Sequence, residues 1–387
     1  MAIPSTPFIL LPLFFFFFFF SVSSTTFNIV DFGAKPDSKT DMSKAFEEAW
    51  TSACRASTAA TIYVPKGRYY LSTTTFNGPC SNNDITMHVD GTLVAPSDYG
   101  VENWITFRHV DGVSVFGGVL DGQGAGLWDC KNSHKSCPLG ATSLEFSNSK
   151  NIIVSGLTSL NSQMFHIVAN GCQNVKMQGI KISAAGNSPN TDGIHVALSS
   201  QVTIISSSIS TGDDCISVGP GTSNLWIENV ACGPGHGISI GSLGKDVEED
   251  GVQNVTVKTT TFTNTQNGVR IKTWGKPSKG FARNILFQDI IMNNVQNPII
   301  IDQNYCPNNK GCPGQVSGVE ISNVSYQNIH GTSATQVAMK FDCSSKFPCR
   351  GITLEDVKLS YKNDVAEASC SNADGTAAGL VQPSSCL

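Results

Sequence analysis

Eight short segments of one pattern recur along this chain, and they restrict its fold more than any other feature. NIIV begins at residue 151, NVKM at 174, QVTI at 201, NLWI at 224, NVTV at 254, NILF at 284, GVEI at 318 and GITL at 351. The intervals are 23, 27, 23, 30, 30, 34 and 33 residues. Each segment opens on a polar residue or glycine and then alternates apolar and variable positions, as a strand with one buried face does. Second strand-like runs follow inside most units: HIVA, GIHV, CISV, GISI, GVRI and PIII. One such unit cannot bury its own apolar face, but a stack of them can. No amphipathic helix separates the runs, and a propeller blade would need four strands and about 40 residues. The expected fold is therefore all-β, a right-handed parallel β-helix, with a propeller ranked second.

Ahead of the ladder the period changes. Met42, Ala45, Phe46, Ala49, Trp50 and Ala53 recur at helical spacing, with Thr40 or Asp41 as the N-cap. Such a helix closes one end of a solenoid, where apolar surface and strand edges would otherwise be exposed. Residues 8–20, FILLPLFFFFFFF, are too short an apolar run to span a bilayer comfortably, and the small residues SVSSTT follow. Residues 1–24 are read as a cleaved secretory signal, although the segment before the run has no Lys or Arg. Residues 25–387 are read as one domain, since no linker or charge run divides them. The expected location is secreted, in the cell wall, with no membrane attachment after cleavage and a monomeric chain.

The 13 cysteines suit an oxidising compartment. Nearest-neighbour pairing gives Cys54–Cys80, Cys130–Cys137, Cys215–Cys232, Cys306–Cys312, Cys343–Cys349 and Cys370–Cys386, with Cys172 left over, though spacing alone does not fix connectivity. The paired CxxC spacings of a zinc site are missing, and no metal or cofactor is expected. Asn254-Val-Thr and Asn323-Val-Ser are glycosylation sequons. A formal net charge of −5 gives no basic footprint for nucleic acid.

Four polar stretches fall on successive units: Asn190-Thr191-Asp192, Gly212-Asp213-Asp214, Gly235-His236-Gly237 and Arg270-Ile271-Lys272. Coils of a parallel stack lie about 4.8 Å apart, so the four stretches share one column. NTD, GDD, GHG and RIK in this order resemble the polygalacturonases, the pectin-hydrolysing glycosidases of family 28. The similarity runs from FNIVDFGAKPD at 27 to the last cysteine. CGPGHGISIGSLG and VRIKTW resemble the plant branch, and the whole is similar to its pollen-type exo-acting members, some of which are allergens. The resemblance implies that Asp213 protonates the glycosidic oxygen and that Asp192 and Asp214 activate water. It further implies that His236 tunes or relays protons, and that Arg270 and Lys272 bind the substrate carboxylate. Tyr305 would stand at the sugar site and Asn190 would hold the site's shape. The implied partner is polygalacturonic acid, cleaved with inversion, from the chain end by resemblance alone. An endo-acting enzyme, a pectate lyase and a non-catalytic pectin-binding wall protein are the alternatives.

Charge physics bears on the paired aspartates. Two unit charges about 5 Å apart at an effective dielectric of about 20 repel by roughly 3 kcal/mol. That lifts one proton by about two pKa units. Arg270 and Lys272 oppose it, leaving an expected acid near about 5–6. Carboxylates about 5 Å apart usually mark a retaining enzyme, whereas the resemblance implies inversion. The backbone at 212–214 is expected to leave strand alternation, through a bulge or strand end, so that both carboxylates reach one groove. Lys245, Lys276 and Lys279 are candidate groove extensions and Trp274 a candidate sugar platform, with solvation and simple burial as the plainer readings.

Overall fold

The computed structural model describes residues 24–98, 100–133, 135–307, 310, 312 and 315–387. The leader expected over residues 1–24 lies outside them, apart from Ser24. Among the described residues no helix is long and apolar enough to cross a membrane.

The ladder of the sequence is the architecture: a right-handed parallel β-helix. The first-named segments lie in an 18-stranded sheet and the second runs in an 11-stranded sheet. Pairing is parallel in register, so that Ile152, Val175, Val202, Leu225, Val255, Ile285, Val324 and Ile352 form one buried column. The eighth coil corrects the reading of the repeat. GVEI at 318 does not hold its rung; Asn323-Val324-Ser325-Tyr326 does, with Ile285 opposite Val324. The preceding loop absorbs the extra residues, and pattern alone gives no measure of that length.

The residue opening each rung takes a left-handed backbone: Asn151, Asn174, Gln201, Asn224, Asn254, Asn284 and Asn323 have φ between 54° and 57°. Asparagine tolerates that region better than most side chains. Its amides also stack. Asn174 donates to Asn151 at 2.7 Å, Asn254 to Asn224 at 3.0 Å, and Asn284 to Asn254 and Asn323 to Asn284 at 3.3 Å each. Both sequon asparagines belong to this ladder and are exposed.

The N-terminal cap is α1, Ser43–Arg55, whose predicted apolar face is buried throughout. Trp50 sits on a ring stack running down the core through Phe76, Phe107 and Phe146. The N-cap is Met42, without a side-chain bond. Asp41 instead accepts the Ser43 and Ser72 amides at 3.0 Å each, tying the helix entry to the first coil. A second helix, α2 (Ala125–Asn132), stands in the insertion near 122–141, a stretch without a helical period. All six expected disulfides form, and Cys172 is free and buried.

Candidate active site

The site is built where the chain enters the 11-stranded sheet. Asp192 precedes the strand Ile194–Ala197, Asp213 and Asp214 precede Ile216–Val218, and His236 precedes Ile238–Leu243. These turns stack through the backbone. The Gly193 amide donates to the Asp214 carbonyl at 2.9 Å, Cys215 to Gly237 at 2.7 Å, and His236 to Asp213 at 2.7 Å. The pair of aspartates therefore lies ahead of a strand rather than within it. This strand-end placement lets neighbouring carboxylates share a groove. Cys215–Cys232 ties the aspartate turn to the strand leading into the His236 turn.

Gly212 is required by close approach. A Cβ there would come within 2.2 Å of the Ser188 carbonyl oxygen and 2.4 Å of its nitrogen, both backbone atoms that cannot rotate away. The Gly212 amide also donates to the Thr191 hydroxyl at 3.2 Å, and Thr191 is joined to Ser188 at 2.7 Å. Thr191 thereby joins two aspartate turns, a role the motif reading had not given it. Asn190 is exposed with φ 58°, as a turn former would be. Gly212→Ala should cost about 1–3 kcal/mol. A shift of about 1 Å in the aspartates should lower kcat by roughly 10²-fold. Denaturation midpoint and turnover measured together check both.

Arg270 and Lys272 point from the strand Asn267–Trp274 into the same row. Arg270 Nη2 lies 3.0 Å from Asp214 Oδ1, and Lys272 Nζ lies 2.8 Å from Asp214 Oδ2. Ser239 Oγ donates to Asp214 Oδ1 at 2.8 Å and accepts from Arg270 Nε at 2.9 Å. Asp214, 1% exposed at its side chain, is thus a buried anion held by two cations and a hydroxyl. Asp213 is more open, 19% exposed, with His236 Nδ1 at 3.1 Å from its Oδ1. One oxygen of each aspartate and a nitrogen of His236 lie within 4.8 Å of one another.

The protonation pattern departs from the simple crowding argument. Burial acts on Asp213 to raise its pKa. The hydrogen bond and charge of His236, the Asp214 amide at 2.8 Å and the charge of Lys272 outweigh that and hold it below the usual carboxylate value. Asp192 is the carboxyl pushed well above the ordinary range, first by burial and then by the charges of Asp213 and Asp214. Of the three carboxyls, Asp192 is the one that the site shifts toward its protonated form. Pairwise repulsion missed this because two cations and a hydroxyl already hold Asp214.

Tyr305 closes the row, its ring 5.5 Å from Lys272 Nζ and edge-on to Trp274 at 5.6 Å. Trp274 is half-buried, donates to Ser242 and carries Lys276 Nζ 4.8 Å over its ring. Lys279 is paired with Glu248 and Lys245 is exposed. Three groups escaped the motif reading. His195, Ser217 and Ser239 are in register beneath the aspartates, aligned with Arg270. His195 sits inside GIHV, where it reads as one polar position of a strand. Its place three residues after Asp192 was the available signal.

The insertion carrying α2 stands two coils before Asp192, in the same column of turns. Trp128 Nε1 donates to the Ser162 carbonyl at 3.1 Å, and Asn132 donates to the Asn187 carbonyl at 3.3 Å, inside the loop leading to Asp192.

Comparison with known proteins agrees with this geometry. The model of the glycosyl hydrolases family 28 matches residues 54–386. A polygalacturonase of Prunus persica is 67% identical over 370 residues, 94% of each chain. An exopolygalacturonase of Platanus acerifolia is 43% identical over 369 residues, covering 93% of this chain and 97% of its own. Among solved structures, the endo-xylogalacturonan hydrolase of Aspergillus tubingensis superposes with a TM-score of 0.80 at 26% identity, over 93% of this chain and all of the other.

Proposed function

The chain belongs to glycosyl hydrolase family 28 and is a polygalacturonase, and from that premise we propose that it releases galacturonate from the non-reducing end of homogalacturonan, with inversion. The observation that carries the chemistry is the row of Asp192, Asp213, Asp214, His236, Arg270 and Lys272 on consecutive coils. Glycoside hydrolysis needs a protonated carboxyl on the leaving oxygen and an ionised one on the attacking water. Asp213 takes the first role in this reading, being the most open of the three and the one in contact with His236. A substrate carboxylate nearby adds negative charge that raises it toward the protonated form. Asp192 and Asp214 hold the water. Both Asp214 oxygens are engaged by Lys272, Arg270 and Ser239, which argues against attack on the sugar and favours inversion. Arg270 and Lys272 supply the local cations that a chain of net charge −5 needs to hold a polyanion. Tyr305 lines the sugar site beside Lys272.

The exo reading is supported by the α2 insertion, which stands at one end of the row and braces the loop before Asp192. Similarity to the exopolygalacturonase of Platanus acerifolia points the same way. In this reading residues 25–387 form a single secreted domain that acts as a monomer in the cell wall after its leader is removed. Digestion of polygalacturonic acid with product sizing tests the proposal. Monomer from the first time point, with slow loss of viscosity, is expected. A ladder of oligomers would make the enzyme endo-acting. Products absorbing in the ultraviolet, lost on chelation, would make it a lyase.

A further inference from the structure

The strand that carries Arg270 and Lys272 continues the site past them. Val269, Ile271 and Thr273 are fully buried, so Arg270, Lys272 and Trp274 share the opposite face, that of the aspartates. Beyond the strand end the chain turns, with the Lys276 amide donating to the Trp274 carbonyl at 2.7 Å. The turn sets the Lys276 ammonium 4.8 Å from the centre of the Trp274 ring. The indole is itself fixed. Its Nε1 donates to Ser242 Oγ at 3.1 Å, on the strand that follows His236. Its ring meets Tyr305 edge-on, and Tyr305 in turn lies beside Lys272. Lys276 is thus joined to the row through two aromatic rings.

Its ammonium differs from those around it. Lys272 is bound to Asp214, Lys279 to Glu248 and Lys340 to Asp342. Among the described residues the Lys276 ammonium has no ion pair and no hydrogen bond; it touches the ring face alone. A ring face attracts a cation but leaves its three N–H donors for another acceptor. The floor next to Lys272 has the opposite sign. Asp302 is directly opposite Lys272 on the following strand, and Asp342 is opposite Asp302. Asp302 is half-buried and has no ion pair among the described residues.

We propose that Lys276 is a specificity-determining residue: it binds the carboxylate of the uronate that follows the one held by Arg270 and Lys272. The inference rests on the exo reading above. In that reading α2 stands at the Asp192 end of the row, so the rest of the substrate chain leaves past Lys272. Straight on, its next carboxylate meets Asp302 and Asp342, and like charges repel it. Toward Trp274 it meets a cation already in place. The lysine stem is packed on the indole, so little side-chain freedom is left to lose on binding. Lys276 therefore reads charge at this sugar, holding a free carboxylate and gaining nothing from a methyl ester.

The test is steady-state kinetics on digalacturonate and trigalacturonate with Lys276→Met, which keeps an unbranched stem on Trp274 and removes the charge. The dimer ends before the proposed sugar and the trimer includes it. KM for the trimer should rise about fivefold, the upper end for a partly exposed ion pair. KM for the dimer and kcat for both should stay unchanged, as should melting. Salt should weaken trimer binding less in the variant than in the wild type. Lys276→Arg keeps the charge over the ring and should restore the trimer's KM. A trimer methyl-esterified at its reducing-end sugar should bind the wild type no better than the dimer does. An equal change for dimer and trimer, or none for either, would overturn the proposal. An arginine variant as weak as the methionine one would overturn it too, since that marks a packing role. Product sizing on the same enzymes keeps the two readings apart. Monomer from the start with no length-dependent change removes Lys276 alone; a ladder of oligomers removes the exo path and Lys276 with it.

Discussion

Asp213→Asn should lower kcat by about 10³-fold and leave the protein folded. The change is nearly isosteric. The amide oxygen can still accept the Asp214 N–H now bound to Oδ1. The contact with His236 is partly open to solvent, and an ion pair of that kind stabilises by about 0–1 kcal/mol, so melting should scarcely move. What disappears is the transferable proton. In the proposed reading Arg270 and Lys272 hold the substrate's carboxylate, and Asp213 contacts neither, so KM should shift by no more than a few fold. The measurement is reducing-end release from polygalacturonic acid, with binding of oligogalacturonate followed separately. Turnover near the wild-type rate would remove Asp213 from the acid role. Loss of turnover together with loss of binding would mean that the carboxylate holds the sugar instead of protonating the bond.

That prediction draws on motif and geometry in unequal parts. The fold was legible because a solenoid writes itself as a period. Its buried column repeats with each coil, and the helical spacing of Ala45, Phe46, Ala49 and Trp50 stands out against it. Nearest-neighbour cysteines pair because adjacent segments of a solenoid are also adjacent in space. The candidate row was legible because four polar motifs step at coil length. What the sequence could not show is which side chain meets which across coils. Arg270 and Lys272 read as free cations for a substrate, and the fold commits both to Asp214. His195 and Ser217 lie 22 residues apart and meet only because the intervening loops bring their strands into register. Loop length also displaced the eighth rung from Gly318 to Asn323. Local pattern carries no information on such lengths, and the raised pKa of Asp192 follows from burial that only the assembled stack supplies.

The Asp214 triad leads to a sharper expectation. Lys272→Met should destabilise the protein by about 3 kcal/mol, because removing one partner leaves a buried charge short of compensation. Lys272 is 8% exposed and Asp214 1%, so water cannot replace the lost ammonium. Arg270 and Ser239 remain on Oδ1, which keeps the cost at the lower end for a broken buried pair. Asp214→Asn in the Lys272→Met background removes the unpaired charge itself. The double variant should therefore be more stable than the sum of the singles by about 1–3 kcal/mol. Activity should follow the opposite rule. In the proposed reading the double variant lacks both a water-holding carboxylate and a cation for the substrate, so its kcat/KM should be no higher than that of either single. Denaturation midpoints and kcat/KM measured on the four proteins of this cycle decide the matter. Strictly additive stabilities would mean that the 2.8 Å contact contributes nothing to the fold. Recovery of activity along with stability would mean that Asp214 and Lys272 serve structure alone, and that catalysis runs on Asp192 and Asp213 without them.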